Sequence, residues 1–208
     1  LKEDYSMAKR IITVSRQFGS GGRSIAKLVA QKLGYAYYDK ELIKKVAEMT
    51  NFDPAYIEEI GEYAPGKTLF SFSPAFSSSP HVMGGMSAYD YLWVVQRNAI
   101  LEIADKEPCV IVGRCADFIL KDRDDVLNTF ICAPMDFRAE RIVRLYGESD
   151  KKPVERLKDK DTRRSVNYKH FTGREWGDCL NYDITLNSAS VGVERCADII
   201  VKIATEED

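Results

Sequence analysis

Ile11-Ile12-Thr13-Val14-Ser15-Arg16-Gln17-Phe18-Gly19-Ser20-Gly21-Gly22-Arg23-Ser24-Ile25-Ala26 joins an apolar run to a glycine turn and an amphipathic segment. Ile11 to Val14 is a short β-branched run of the kind that forms a buried parallel strand. The turn Gly19-Ser20-Gly21-Gly22-Arg23-Ser24 follows, and from Ser24 the apolar residues Ile25, Leu28, Val29 and Leu33 recur at helical spacing until Gly34 closes the segment as a C-cap. A chain that turns sharply from a parallel strand into a helix leaves several backbone N–H groups unpaired at the positive end of the helix dipole, an arrangement that suits a phosphate. Glycines permit the positive φ of such a turn and let the backbone approach the anion. A glycine turn with no ligand has the same skeleton; Arg23 and Ser24 at the helix start tilt the reading toward phosphate.

Working outward, Tyr35 to Tyr38 reads as a second short strand ending at Asp39, and Leu42, Ile43, Val46, Ala47 and Met49 mark another helix. Asp53-Pro54 can start a short helix, after which Gly61 to Ser87, rich in Gly, Pro, Ser and Phe, reads as a long loop of the functional or disordered kind. Tyr89 to Ala104 returns to helical periodicity, Pro108 stops it, and Cys109-Val110-Ile111-Val112 is a fully apolar strand ending in Gly113-Arg114. Val126 to Cys132 reads as a further strand and Asp136 to Tyr146 as a helix carrying Arg138, Arg141 and Arg144. Pro153 opens a charged helix that runs into Tyr168-Lys169-His170; Tyr182 to Leu186 is a last strand and Val193 to Ala204 a closing helix. Strands alternating with helices imply an α/β protein with a parallel sheet covered on both faces.

Composition narrows the classes. The chain has 208 residues with a formal net charge of −2, enough for one sizeable core and with no sign of a general nucleic-acid binder or a polybasic membrane protein. Cys109, Cys115, Cys132, Cys179 and Cys196 are scattered and form no CxxC pair, which argues against a zinc site or a disulfide framework and fits a reducing cytoplasm. Neither an export signal nor a membrane span is expected from the apolar runs. His81 and His170 stand apart from any triad or metal pattern and read as surface residues.

Val14-Ser15-Arg16-Gln17-Phe18-Gly19-Ser20-Gly21-Gly22-Arg23-Ser24-Ile25-Ala26 resembles the P-loop of bacterial cytidylate kinases, and more closely that of the variant group called cytidylate kinase-like proteins. The resemblance extends to Leu33-Gly34-Tyr35-Ala36-Tyr37-Tyr38-Asp39, to Val110-Ile111-Val112-Gly113-Arg114, and to Lys158-Asp159-Lys160-Asp161-Thr162-Arg163-Arg164, covering Arg10 to Ala204 but weakly over Asn51 to Ser87. It implies a P-loop NTPase-type three-layer αβα fold with a central mostly parallel sheet, plus helical acceptor-binding and lid segments. One domain over residues 1–208 is expected, with a core at 10–50 and 105–204, an acceptor-binding insert at 51–104 and a lid at 147–175. The implied cofactors are ATP and Mg²⁺, and the implied partners are a nucleotide and a small-molecule acceptor.

Site residues follow from the loop and the resemblance. Gly19, Ser20, Gly21, Gly22, Arg23 and Ser24 are expected to bind the nucleotide phosphates, with the Ser24 hydroxyl available to Mg²⁺. Laid on the chain, the pattern G-x-x-x-x-G-K-[ST] puts Arg16 at the first glycine and Gly22 at the lysine, so the phosphate-bridging lysine is absent. Arg23 is the expected substitute, although arginine and lysine are not interchangeable at a moving phosphoryl group. Asp39 reads either as a ligand to the acceptor at the sheet's C-terminal edge or as a helix N-cap. Arg114 reads as a bidentate phosphate binder or as half of a buried ion pair, with Asp117 near in sequence. The resemblance implies that Arg164 closes over the transferring phosphoryl group and that Asp161 holds the acceptor's ribose; a solvated charged helix is the plainer reading of that run. Arg138 and Arg141 lie on one helix face. Tyr168, Phe171 and Trp176 are either base-stacking or core aromatics.

Three functions remain open at this level: a nucleoside monophosphate kinase acting on a pyrimidine nucleotide such as CMP, a nucleotide-binding regulator that has lost transfer with the lysine, and a small-molecule kinase with a rebuilt acceptor site. A Rossmann dinucleotide enzyme is disfavoured, because Gly19-Ser20-Gly21-Gly22 lacks the G-x-G-x-x-G spacing.

Overall fold

The computed structural model describes residues 9–50, 52–60 and 87–205; of the expected loop from Gly61 to Ser87, residues 61–86, with His81, lie outside the described residues, and Ser87 caps a helix. Among the described residues the chain runs β1 (Ile11–Arg16), α1 (Gly22–Leu33), β2 (Ala36–Tyr38), α2 (Lys40–Thr50), α3 (Pro54–Ile60), α4 (Ala88–Lys106), β3 (Cys109–Val112) and α5 (Ala116–Ile119). It continues through β4 (Val126–Cys132), α6 (Met135–Tyr146), α7 (Pro153–Thr172), β5 (Ile184–Asn187), α8 (Ser188–Val191) and α9 (Val193–Thr205).

The strands form one sheet in the order β2-β3-β1-β4-β5, and every pairing is parallel. β1 is central: Ile11 pairs with Cys109 of β3 on one side and with Val126 of β4 on the other. The chain returns to opposite sides of β1, so the crevice at its C-terminal end is the switch point where open α/β sheets bind ligands. The glycine turn leaves β1 at that point.

Strand alternation divides the core into two. Ile11, Cys109, Ile111 and Val126 pack on one face with Leu42, Ile43 and Val46 of α2 and Leu92, Ile100 and Ile103 of α4. Ile12, Val14, Val110, Val112, Leu127 and Ile131 pack on the other with Ile25, Ala26 and Val29 of α1 and Cys196, Ala197 and Ile200 of α9. Each large aliphatic side chain buried this way contributes about 1.5–3 kcal/mol. The result is the three-layer α/β fold expected from the sequence. Cys109, Cys115 and Cys196 are buried as small apolar residues, and all five cysteines are free thiols.

Most differences from the sequence reading lie at element ends. β1 continues two residues beyond the β-branched run, making Ser15 and Arg16 strand residues paired with Phe130 and Ile131. α1 opens on Gly22 rather than Ser24. β5 begins at Ile184, with a single 3₁₀ turn at Cys179–Asn181 before it. Helices α5 and α8, of 4 residues each, were not anticipated.

Candidate functional site

Gly19 and Gly21 adopt φ of 82° and 88°, the left-handed backbone that shapes the turn. The turn is also closed in on by α6: a Cβ at Gly19 would lie 2.9 Å from Ile142 Cγ2 and 3.0 Å from the Arg138 carbonyl oxygen. Ser20 is fully buried, its hydroxyl donating to the Gln17 carbonyl at 2.9 Å, while Ser188 at the start of α8 donates to the Ser20 carbonyl. The first helical hydrogen bond of α1 is Ile25 N–H to the Gly21 carbonyl at 3.0 Å. The N–H groups of Gly22, Arg23 and Ser24 precede it and have no acceptor within the helix, which is the backbone cradle the glycines predict.

The cations around this cradle are arranged differently from the expectation. Arg23 turns toward the end of β2, where its Nε lies 2.9 Å from Asp39 Oδ2 and its Nη2 donates to Asp39 Oδ1 at 3.2 Å. Asp39 is buried and also takes the Tyr37 hydroxyl at 3.4 Å, so the two expected site residues form one ion pair at the sheet edge. Arg141 of α6 lies over the turn and donates to Ser24 Oγ at 3.1 Å. Burial pulls the Arg141 guanidinium below the usual arginine range; Tyr146 opposes the shift and Arg144 adds a smaller push in the same direction as burial. A guanidinium in contact is a poor neighbour for a divalent cation, and no cluster of acidic, histidine or cysteine side chains among the described residues forms a metal site. In this arrangement the Ser24 hydroxyl is engaged by Arg141.

Two clefts open at this end of the sheet. One is lined by the glycine turn together with Arg16, Arg23, Arg141 and Arg164, and no carboxylate lines it among the described residues. The other is lined by Ser15, Arg16, Arg114, Arg164, Asn167 and Trp176, with Gly113 and Cys115 behind them. Arg16 and Arg164 line both clefts. Arg114 is buried and donates to Gln96 Oε1 of α4 at 2.6 Å. It sits in a run of left-handed backbone, Gly113, Arg114 and Cys115 at φ 69°, 57° and 55°. Left-handed conformation at two successive residues with side chains costs of order 1 kcal/mol or more each and persists only where the surroundings impose it. Here it delivers Arg114 to the cleft and starts α5. Asp117 pairs with the Tyr168 hydroxyl at 2.6 Å.

The α7 helix is clasped onto the turn. Asp161 Oδ1 accepts the Phe18 N–H at 2.7 Å, and its other oxygen accepts from the buried Arg138, which also donates to the Phe18 and Ala133 carbonyls. Both carboxylate oxygens of Asp161 are thus engaged within the chain. Arg164 Nη1 lies 3.8 Å from Asp161 and donates to the Arg16 carbonyl at 3.2 Å. The pair left equivalent by sequence divides: Arg138 is buried in the clasp, whereas Arg141 faces the cleft. Of the three aromatics, Phe171 stacks on Trp93 at 4.3 Å, while Tyr168 and Trp176 both line the Arg114 cleft, Tyr168 as a buried ring whose hydroxyl is tied to Asp117. His170 lies on the surface 3.7 Å from Asp90.

Sequence reasoning missed Arg16, Gln96 and Asn167 as site residues. Gln96 had a signal, being a polar residue on the apolar face of α4 that ends 1% exposed. Arg16 had another, being an arginine at the position where the loop pattern has its first glycine.

A glycine turn at the switch point of an all-parallel sheet, under an arginine-bearing helix, defines an α/β protein of the P-loop NTPase type. The shikimate kinase of Acinetobacter baumannii, solved with shikimate, shares this fold at a TM-score of 0.52 and 14% identity over 93% of this chain and 91% of that one. The cytidylate kinase-like family model matches residues 11–190, and the chain belongs to that family. It is 28% identical over 194 residues to the cytidylate kinase of Archaeoglobus fulgidus, covering 92% of each chain. To the cytidylate kinase of Pyrococcus horikoshii it is 25% identical over 192 residues, 92% of this chain and 86% of the relative. An uncharacterized protein from Eubacterium ventriosum has a crystal structure similar at a TM-score of 0.69, with 28% identity over 95% of this chain and 99% of that one. No helix among the described residues is long and apolar enough to cross a membrane.

Proposed function

We propose that this chain is a nucleotide kinase that moves the γ-phosphoryl group of ATP to a pyrimidine nucleoside monophosphate, with CMP as the acceptor. The observation that carries the reading is the pair of clefts that share Arg16 and Arg164. Phosphoryl transfer needs little more than two substrates aligned end to end and cations where charge spreads in the transition state. Two sites opening on the same guanidiniums meet both demands.

In this reading the N–H groups of Gly22, Arg23 and Ser24 hold the donor phosphates, and Arg141 screens them from α6. Arg114 takes the acceptor's phosphate from the β3 side, and the Arg23–Asp39 pair borders that same side at the end of β2. Arg164, delivered by α7, stands over the transferring group. Asp161 acts as the clasp that keeps α7 against the turn. The bond from Pγ to the β-phosphate oxygen breaks, a bond from the acceptor's phosphate oxygen to Pγ forms, and ADP leaves with the electron pair. No proton transfer is required, which agrees with a site built of arginines rather than of a general base.

The family and its cytidylate kinase relatives support CMP as the acceptor. Trp176, on the acceptor side, is the aromatic placed to stack on a base. The test is ADP release measured with ATP and Mg²⁺ across CMP, dCMP, UMP, AMP, GMP and non-nucleotide hydroxyl acceptors. Turnover with CMP above the others is expected. Turnover only with a hydroxyl acceptor, or ATP binding without turnover on any acceptor, contradicts it.

A further inference from the structure

The kinase reading leaves one requirement unfilled, because Gly22 stands where a P-loop lysine would, and Arg23 beside it is turned to Asp39. We propose that Arg16 replaces that lysine, its guanidinium bridging the donor's terminal phosphates and the acceptor; this rests on the kinase reading above.

Strand geometry places the side chain. Ile12 and Val14 of β1 pack into the core formed with α1 and α9, and the two-residue alternation of a strand sends Arg16 to that same side. There it meets the first residue of α1. A Cβ built on Gly22 would fall 2.4 Å from Arg16 Cβ and 2.7 Å from Arg16 Cγ. The stem of Arg16 therefore crosses the space in which any side chain at position 22 would begin. An arginine at 16 and a lysine at 22 exclude each other.

The pattern G-x-x-x-x-G-K-[ST] has glycine at the first of these positions and the cation at the second. This chain has the cation first and glycine second. Glycine and cation have exchanged ends of the loop, and the contact between them is the physical reason the exchange is reciprocal. A charge lost at 22 with nothing gained would leave position 16 small and the loop neutral. Instead Arg16 is 4% exposed and, with Arg164, lines both clefts. Arg164 donates to the Arg16 carbonyl at 3.2 Å, which fixes the end of β1 beneath α7.

The chemistry suits the place. A guanidinium presents a planar fork that spans two phosphate oxygens, whereas an ammonium follows one. It exchanges no proton during transfer: Arg16 stabilises the charge that spreads over the γ-phosphoryl oxygens as one P–O bond breaks and the other forms.

The experiment compares wild type with Arg16→Gln, which keeps the stem against Gly22 and removes the charge, and with the exchange variant Arg16→Gly/Gly22→Lys. Two readouts are taken, ADP release with CMP and the ratio of ATP to AMP affinity. Arg16→Gln is expected to lower kcat about a hundredfold or more and to lower the ATP-over-AMP preference about tenfold or more. A merely structural role would weaken both nucleotides alike. The exchange variant is expected to recover most of the preference, and it decides the matter if Arg16→Gln fails to fold. An ATP-over-AMP preference unchanged in Arg16→Gln, or no better in the exchange variant than in Arg16→Gly alone, overturns the assignment. Wild-type turnover with an unaffected Arg16→Gln removes this inference and leaves the kinase reading. Absence of turnover in wild type, with the ATP preference still lost in Arg16→Gln, removes the kinase reading and leaves Arg16 as the phosphate cation.

Discussion

At the scale of single residues, the site is governed by which side chains the turn can accommodate. Gly22→Ala places a methyl group 2.4 Å from Arg16 Cβ, so it should destabilise the protein by about 1–3 kcal/mol, measured from denaturant midpoints. Adding Arg16→Gly should recover part of that loss, a non-additivity that independent sites would not show. Arg23→Ala should lower kcat less than about tenfold, because the side chain, although it lines the cleft of the glycine turn, is 40% exposed and held by Asp39. A loss as large as that of Arg16→Gln would restore Arg23 to the lysine's role. The glycine turn between β1 and α1 and the place of Arg114 after β3 were legible because spacing from a strand end is local information, whereas Arg164 followed only from the family resemblance. The placement of Arg16 in the clefts was not legible, because the β-branched run ends at Val14 and only two further strand residues bring its side chain over Gly22.

At the scale of elements, α7 is held to the turn by Asp161, which joins the Phe18 N–H to the buried Arg138. Asp161→Asn retains an acceptor but leaves that guanidinium without its counter-charge, and breaking a buried pair from one side costs about 3–5 kcal/mol. Thermal unfolding should show a loss toward the lower end of that range, and hydrogen exchange should show the Phe18 amide and the α7 amides losing protection ahead of β1. Uniform loss across the fold would contradict a local clasp. The strands and long helices were readable from apolar runs and 3.6-residue periodicity. α5 and α8 were not, since a 4-residue helix completes little more than one turn and carries no period; α5 is set instead by the left-handed run at Gly113 to Cys115. The hydrogen bonds and ion pairs that couple α6, α7 and the turn were equally unreadable, because they join residues as far apart as Phe18 and Asp161 or Arg138 and Asp161.

At the scale of the whole molecule, the sheet order makes a single crevice at the end of β1 and puts both clefts on it. Asp117, buried behind the Arg114 cleft, links that crevice to global stability. Burial pushes its carboxyl up to about 6 from an ordinary 3.8, although the Tyr168 hydroxyl bond pulls the other way. The folded state therefore binds this proton more tightly than the unfolded chain. Its contribution is greatest below the unfolded value, declines as pH rises from about 4 to about 6, and is gone above that, a change of roughly 2–3 kcal/mol. Asp117→Asn keeps an acceptor for Tyr168 but cannot titrate, so the slope should appear in the difference between wild type and variant in urea unfolding at pH 4 to 7; a difference that does not change with pH would contradict it. Whether donor and acceptor meet between the two clefts is read from a crystal structure with adenosine and cytidine joined through five phosphates. The phosphate chain should run from the N–H groups of Gly22, Arg23 and Ser24 past Arg16 and Arg164 to Arg114. A ligand seated elsewhere, or one whose phosphates leave the glycine turn empty, would contradict it.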